Sequence, residues 1–316
     1  MKVAVLFPGQ GAQYLGMGKK FIDNDEECAS LMALAENTCD RNLSKLCNDG
    51  PMEQLTRATN LQPALAIVNL ICWHSFLKAA GKDFNVSCFA GHSLGEYSAL
   101  YAAGVLSAED TMKLVCKRGA LMEREGLINP GGMRAILGLS IEEIEEIIGA
   151  SSGSGVVTAA NHNTSQQIVI SGSMAGLDAV SAKAEEREAK VIPLNVSVAN
   201  HSPLVAGAVP DFREFMADIH FSKPQTPVYF NVSGETETDC DKIKAMMARQ
   251  IASKVRWFEI IQSMIGGGVD TFIEVGPKAI LSGMIRKIVA KNAKITSLQF
   301  DSPELLEVCL KKLRLS

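Results

Sequence analysis

The segment GHSLG, residues 91–95, constrains the fold of this chain more than any other stretch. It follows a short apolar run, residues 86–90, which predicts a buried strand, and it precedes residues 94–103, which predict a helix. In such a strand-to-helix turn, side chains at the two glycine positions would clash, and the serine hydroxyl is exposed above the sheet. The segment therefore predicts an α/β fold that presents Ser93 at the end of a strand.

Strand and helix patterns alternate along most of the chain, which is typical of an α/β domain. Residues 3–7 form a continuous apolar run before a Pro-Gly pair, as in a buried parallel strand. Residues 62–80 place apolar side chains three and four positions apart, as on one face of a helix. Further strands are expected at residues 227–234 and 271–277. We therefore expect a domain built on a parallel sheet.

Near residue 130 the pattern changes to strand, helix, strand, strand, helix, strand within about 70 residues. That order is typical of a ferredoxin-like unit. Because the α/β pattern resumes afterwards, we expect this unit to be inserted in the larger domain. The predicted boundaries are residues 128–198 for the small subdomain, and residues 1–127 with 199–316 for the large one.

Composition argues against several classes of protein. The net charge of −4, with both signs interspersed, does not favour nucleic-acid binding. No apolar run approaches the roughly 18 residues of a membrane span, and the run at residues 3–7 is too short for a signal peptide. The eight cysteines include no C-x-x-C pair and mostly lie in apolar stretches, which predicts reduced, buried thiols in a cytoplasmic protein.

A reactive serine needs a base, and the residues alone leave that base open. His74 lies in an apolar helical pattern and is expected to be packed, while the side chain of His92 should point away from the neighbouring Ser93 hydroxyl. His201, just after a predicted strand, has a suitable placement. The chain has five histidines in all, namely His74, His92, His162, His201 and His220.

Two further features are candidates for the same site. The loop FPGQGAQ, residues 7–13, departs from the G-x-G-x-x-G nucleotide-binding pattern because its next glycine, Gly16, comes two places late. A loop that offers a backbone N–H beside Ser93 is more consistent, since both loops follow strands of one sheet. Arg118, on a predicted helix, is either a surface arginine or the partner of a substrate carboxylate.

Together these motifs resemble the malonyl-CoA:acyl-carrier-protein transacylases and the related acyltransferase domains of polyketide synthases. The similarity runs from residue 7 to about residue 288, and the first motif departs from the family only in having Ala12 where serine is more usual. The motifs that carry it follow in the family's order: FPGQGAQ, GHSLGE, RGALM, ANHNTSQQIVISG, VSVANHSPLV and EVGPKAIL.

The resemblance implies a role for each matching residue. Ser93 is the nucleophile that carries the acyl group, and His201 is its base, oriented by the backbone carbonyl of Gln250. The backbone N–H groups of Gln10 and Leu94 form the oxyanion hole.

The resemblance also implies a substrate pocket. Arg118 holds the malonyl carboxylate, with Gln62 and Met122 shaping the pocket around it. Asn161 and Asn163 lie near the pantetheine arm of the thioester. The family commonly has phenylalanine or serine before the active histidine, so Asn200 bears on which acyl group fits.

The resemblance implies an α/β-hydrolase-like core with the ferredoxin-like subdomain, and a ping-pong transfer of malonyl from malonyl-CoA to holo acyl carrier protein. No metal or redox cofactor, nucleic acid or membrane is expected, and the chain is expected to be a monomer. A carrier protein of this kind is acidic, so a basic surface is expected between residues 281 and 316. The alternatives are a trans-acting polyketide acyltransferase of different selectivity, a serine thioesterase or acyl hydrolase, and a non-catalytic carrier-binding module.

Overall fold

The computed structural model describes residues 1–81, 83–196, 198–290 and 292–314. Its strands are β1 (Val3–Phe7), β2 (Cys88–Gly91), β3 (Gly132–Leu137), β4 (Val157–Thr164), β5 (Gln167–Gly172), β6 (Lys190–Pro193), β7 (Val228–Tyr229), β8 (Thr271–Val275) and β9 (Thr296–Phe300). Its helices are α1 (Lys19–Asn24), α2 (Glu26–Cys39), α3 (Leu43–Asp49), α4 (Met52–Thr56), α5 (Ala58–Ala80), α6 (Gly95–Ala102), α7 (Ala108–Ile128), α8 (Ile141–Gly149), α9 (Met174–Glu186), α10 (Ala208–Ala217), α11 (Cys240–Gln250), α12 (Trp257–Gly266), α13 (Ile280–Ile288) and α14 (Pro303–Leu313).

The large sheet has the order β7-β2-β1-β8-β9, and every neighbouring pair in it is parallel. Alternate side chains of the central strand β1 enter two separate cores. Val3, Val5 and Phe7 pack with side chains of α5 and α7, whereas Ala4 and Leu6 pack with those of α12 and α13. Because both faces are covered, β1 is apolar at every position, which is the pattern seen in its sequence.

Helix α5 is the longest and most deeply buried helix among the described residues. Its length and composition would allow it to cross a membrane, but 72% of its most apolar window is buried inside the protein. Leu65, Leu70 and Phe76 are fully buried, and each such side chain contributes about 1.5–3 kcal/mol through burial. These contacts are typical of the core helix of a globular domain.

The small sheet is antiparallel, with the order β4-β5-β3-β6, and α8 and α9 pack against it over a separate core. Numbered within the unit, the strand order is 2-3-1-4, as in a ferredoxin-like fold. The predicted parallel core sheet with an inserted antiparallel unit is thus confirmed. The boundaries at residues 128–198 stay a prediction.

Backbone hydrogen bonds join the small sheet to the segment between α11 and α12. The N–H of His162 on β4 donates to the carbonyl of Val255 at 2.9 Å, and the N–H of Val255 donates to the carbonyl of Ala160 at 2.8 Å. The segment that follows α11 therefore pairs with the edge of the small sheet.

Two sequence predictions need correction. Cys39 at the end of α2 and Cys116 on α7 form a disulfide, with their Cα atoms 6.2 Å apart, so the prediction of reduced thiols is wrong for this pair. The pair forms because α2 packs on α7, a contact that sequence spacing does not reveal. The strand expected at residues 227–234 is only β7, because the chain turns from Phe230, whose carbonyl accepts the Gly234 N–H at 2.8 Å.

Candidate active site

The GHSLG segment forms a sharp turn between β2 and α6. Ser93 has a φ of +51°, a left-handed conformation that costs a non-glycine residue about 1–3 kcal/mol. A Cβ on Gly91 would overlap the backbone of Gly95, and a Cβ on Gly95 would overlap the carbonyl oxygen of Phe7. The glycines are therefore required because three backbone segments meet without room for side chains, and the serine is held at the C-terminal end of β2.

Ser93 and His201 lie in direct hydrogen-bond contact. The distance from Ser93 Oγ to His201 Nε2 is 2.7 Å. The Nδ1–H of His201 donates to two backbone carbonyls, those of Gln250 and Ser253, each at 3.0 Å. These carbonyls accept only, so they hold the proton on Nδ1 and leave Nε2 free to accept the serine proton. Among the described residues, no carboxylate hydrogen-bonds to this histidine.

The environment keeps His201 neutral. Burial, together with the positive charge of Arg118, lowers the pKa of His201 from 6.5 to about 3. The imidazole is thus unprotonated at neutral pH, as a proton acceptor must be.

Arg118 is 1% exposed and lies beside the serine hydroxyl. Its Nη2 donates to Ser93 Oγ at 3.1 Å and to Gln250 Oε1 at 3.0 Å, and its Nη1 donates to Gln62 Oε1 at 2.8 Å. Gln62 Nε2 in turn contacts Met122 Sδ at 3.1 Å. Burial lowers the pKa of Arg118, but a guanidinium stays charged at any physiological pH.

The arginine keeps free donor capacity. A guanidinium has five N–H groups, and the hydrogen bonds to Gln62, Ser93 and Gln250 use three of them, so two remain. Nε is buried and has no acceptor among the described residues, and no carboxylate contacts the guanidinium there. A buried cation with spare donors is suited to an anionic ligand.

Gln10 and Leu94 flank the serine on two loops. The loop after β1 lies directly against the turn, because a Cβ on Gly9 would overlap the carbonyl oxygen of His92. Neither the Gln10 N–H nor the Leu94 N–H donates to a protein acceptor within the described part of the chain. Two backbone donors are therefore available beside Ser93.

A cavity of about 400 Å³ opens above the serine and lies between the two sheets. Ser93, His201, Gln10, Asn161 and Asn200 line it, and the side-chain oxygens of both asparagines are buried without a hydrogen-bond partner among the described residues. A second cavity, of about 620 Å³, shares Gln10 and Asn200 with the first. The site is thus a cleft that could accept an extended ligand.

The structure does not bring every predicted residue to this cleft. Asn163 does not line either cavity; its Oδ1 lies 2.8 Å from His92 Nε2. Arg118, Gln62 and Met122 also lie off the cavity walls, buried behind Ser93.

Sequence reasoning missed three residues. Asn231 Oδ1 accepts the Ser93 N–H at 2.7 Å, Ser253 supplies the second carbonyl to His201, and Glu96 is fully buried beneath the turn. Two signals could have found them. Glu96 is a lone charge in an apolar helix, and Asn231 comes just after a strand of the parallel sheet, at the edge where ligands bind.

A serine on a sharp strand-to-helix turn of an α/β core, hydrogen-bonded to a neutral histidine, is the arrangement found in enzymes that carry acyl groups on a serine. The family model described as acyl transferase domain matches residues 5–301. The chain therefore belongs to the acyl transferase family, and it is a transferase by membership of that family.

Individual relatives are similar over nearly their full length. The malonyl CoA-acyl carrier protein transacylase of Bacillus subtilis is 38% identical over 317 aligned positions, covering 99% of this chain and 98% of the relative. The crystal structure of the Clostridium perfringens protein of the same name has a TM-score of 0.92 at 36% identity, covering 99% and 98%. A malonyl-transacylase in complex with a type II polyketide synthase acyl-carrier protein has a TM-score of 0.93 at 32% identity, covering 99% and 100%.

Proposed function

We propose that this chain transfers a malonyl group from malonyl-CoA to the phosphopantetheine thiol of acyl carrier protein, through an ester on Ser93. The observation that carries the proposal is the buried guanidinium of Arg118, 3.1 Å from Ser93 Oγ and without a carboxylate partner among the described residues. A malonyl group has a carboxylate two bonds from its reacting carbonyl. It can therefore meet both groups at once. The names of the similar proteins support the same substrate.

In the first half-reaction His201 Nε2 takes the Ser93 proton while Oγ attacks the thioester carbonyl. The N–H groups of Gln10 and Leu94 would then stabilise the tetrahedral oxyanion, at about 3–4 kcal/mol for each donor. The carbon–sulfur bond breaks, and CoA leaves as a thiol with the proton that His201 had accepted. The acyl group stays on Ser93 as an ester.

The second half-reaction runs in the opposite sense. His201 accepts the proton of the carrier's pantetheine thiol, whose sulfur attacks the ester carbonyl. The carbon–oxygen bond of the ester then breaks, and Ser93 Oγ takes that proton back from His201. Water could compete at this stage. Pairing of the malonyl carboxylate with Arg118 fixes the acyl group in one orientation and favours the positioned thiol. Each step moves one proton and one acyl group, so we propose that no metal or redox cofactor is needed.

The carrier protein needs a landing surface, and we propose the basic C-terminal region. The basic side chains that the structure describes in this region are all exposed, namely Arg286, Lys287, Lys294, Lys311, Lys312 and Arg314. Lys291 lies outside the described residues. We also propose that the protein is a monomer and is located in the cytoplasm.

Intact mass spectrometry after mixing with malonyl-, methylmalonyl- and acetyl-CoA tests the reaction. We expect a malonyl adduct on the wild-type protein and none on Ser93→Ala. Accumulation of free malonate without an adduct would favour an acyl hydrolase instead. A stable adduct with another acyl group would favour a trans-acting polyketide acyltransferase, for which Asn200 in the cavity wall is the residue to examine.

A further inference from the structure

Beneath Ser93, three polar side chains form one connected group: Glu96, Asn231 and Gln250. All three are at most 1% exposed. A buried polar group destabilises the folded state unless it has a hydrogen-bond partner. The hydrogen bonds of these three side chains therefore show how each of them is held.

Asn231 and Gln250 hold the strained serine by its backbone. Asn231 Oδ1 accepts the Ser93 N–H at 2.7 Å, and Asn231 Nδ2 donates to the Gly91 carbonyl at 2.8 Å. Gln250 Nε2 donates to the Ser93 carbonyl at 2.8 Å. Both polar groups of the Ser93 backbone are therefore fixed by side-chain amides, at a residue whose φ of +51° is unfavourable by itself.

Glu96 fixes both of those residues. Its Oε1 accepts the backbone N–H of Asn231 at 2.7 Å, and its Oε2 accepts from Gln250 Nε2. An ionised carboxylate can only accept hydrogen bonds. Glu96 therefore requires Gln250 to turn its amide nitrogen inward, and the amide oxygen must then face the other way.

That oxygen faces Arg118. Gln250 Oε1 accepts from Arg118 Nη2 at 3.0 Å, and Nη2 also donates to Ser93 Oγ at 3.1 Å. Since the serine oxygen already accepts from a cation, its own proton is directed to His201 Nε2, 2.7 Å away. Donation thus runs outward from Arg118 in two directions, through Gln250 to Glu96 and through Ser93 to His201.

The charges of Glu96 and Arg118 interact across Gln250. Burial raises the pKa of Glu96 to about 7, while hydrogen bonds from Asn231 and Gln250 and the positive charge of Arg118 oppose the rise. Above that pKa Glu96 is ionised, and Gln250 then hydrogen-bonds to both buried charges without a direct contact between them.

We propose that Glu96 is a positioning residue for acyl transfer: through Gln250 and Asn231 it sets the orientation of Ser93 and of the Arg118 guanidinium. This inference rests on the proposed malonyl transfer. Glu96→Gln preserves shape but places an amide donor against the Asn231 N–H or Gln250 Nε2. To relieve that conflict Gln250 must rotate its amide, which turns a donor toward Arg118 and an oxygen toward the Ser93 carbonyl.

The test compares the wild type, Glu96→Gln and Glu96→Asp, with Glu274→Gln as the matched control. Glu274 is also buried and accepts two backbone N–H groups, but they belong to Leu281 and Ser282 of α13. We expect Glu96→Gln to raise KM for malonyl-CoA through Arg118 and to lower kcat through Ser93, with kcat/KM reduced about 10- to 100-fold, as for one broken hydrogen bond to a charged group. Glu96→Asp, which keeps an anionic acceptor, should retain more activity.

A second readout separates this inference from the proposed function. A fluorophosphonate probe labels an activated serine whether or not malonyl-CoA is the substrate, and its labelling rate should fall in Glu96→Gln but not in Glu274→Gln. Failure of the wild type to form a malonyl adduct would refute the proposed function and leave the labelling comparison valid. The inference is overturned if, per folded molecule, Glu96→Gln matches the control in KM, kcat and labelling rate. If Glu96→Gln does not fold, Gln250→Glu provides the second variant, because it replaces the amide donor to Glu96 with an acceptor. It is expected to give the same losses, and wild-type kinetics in that variant would overturn the inference.

Discussion

Replacement of Arg118 by methionine is the sharpest test of the proposed substrate. The change removes the charge and keeps most of the side-chain volume in a site that is 1% exposed. After its three hydrogen bonds to protein, the guanidinium keeps the Nε–H and one Nη1–H, which lie on different edges, so one carboxylate can accept only one of them. One charge-assisted hydrogen bond is worth about 1.5–3 kcal/mol. We therefore expect kcat/KM for malonyl-CoA to fall by about 10- to 100-fold.

The assay is the ratio of kcat/KM for malonyl-CoA to that for acetyl-CoA, measured by transfer to holo acyl carrier protein. An acetyl group has no carboxylate, so its transfer should lose only the effect of Arg118 on Ser93 Oγ and His201. The ratio should therefore fall sharply. Arg124→Met is the matched control on the same helix, because Arg124 is partly exposed and bonds to Asp211 and Glu125.

Stability provides an independent check. Arg118→Met leaves the buried oxygens Gln62 Oε1 and Gln250 Oε1 without their donor, so it should lower the free energy of unfolding by about 1–3 kcal/mol for each. An unchanged malonyl-to-acetyl ratio in a folded variant would refute the role of Arg118 in recognising the substrate.

Three further predictions concern the base, the carrier protein and the turn. His201 has a pKa of about 3 in the folded state and about 6.5 in the unfolded state, so the unfolded state binds more protons below pH 6.5. Between pH 6.5 and 5 the free energy of unfolding of the wild type should therefore fall by about 2 kcal/mol more than that of His201→Asn, as measured by urea unfolding. Equal losses in the two proteins would contradict this. Reversing the charges of Arg286 and Lys287 should weaken transfer to carrier protein and spare self-acylation by malonyl-CoA, whereas equal loss in both half-reactions would argue against docking there. Gly95→Ala should destabilise the fold by at least about 1–3 kcal/mol, since its Cβ would overlap a carbonyl of β1, while Gly149→Ala, with open space around its Cβ, should not; denaturant titration of both variants decides.

The sequence was sufficient for those features that follow from local pattern. The apolar run of β1, the glycines of the turn and the strand–helix order of the small sheet each have a physical cause that acts within a few residues. Family resemblance, not spacing, singled out His201 and Arg118 for the site. Both are brought to Ser93 by packing between distant parts of the chain.

What the sequence did not predict depends on tertiary contacts. Asn231 and Glu96 contact each other across 135 positions, and the Cys39–Cys116 pair spans 77. The second carbonyl on His201, from Ser253, was missed because a backbone acceptor has no sequence signature. Main-chain groups are present at every residue, so only the fold decides which of them reach a site.

The two carbonyl oxygens that hold His201 have a consequence for the acyl donors that the site can use. They orient the imidazole but carry no full negative charge, so they stabilise an imidazolium less than a carboxylate would. A base of this strength suits a leaving group that is itself a weak base, such as a thiol with a pKa near 8.5. Amines leave far less readily and would need a stronger acid–base pair. We therefore expect malonyl pantetheine to acylate Ser93 much faster than its amide analogue, and comparable rates for the two would show that the carbonyl pair imposes no such limit.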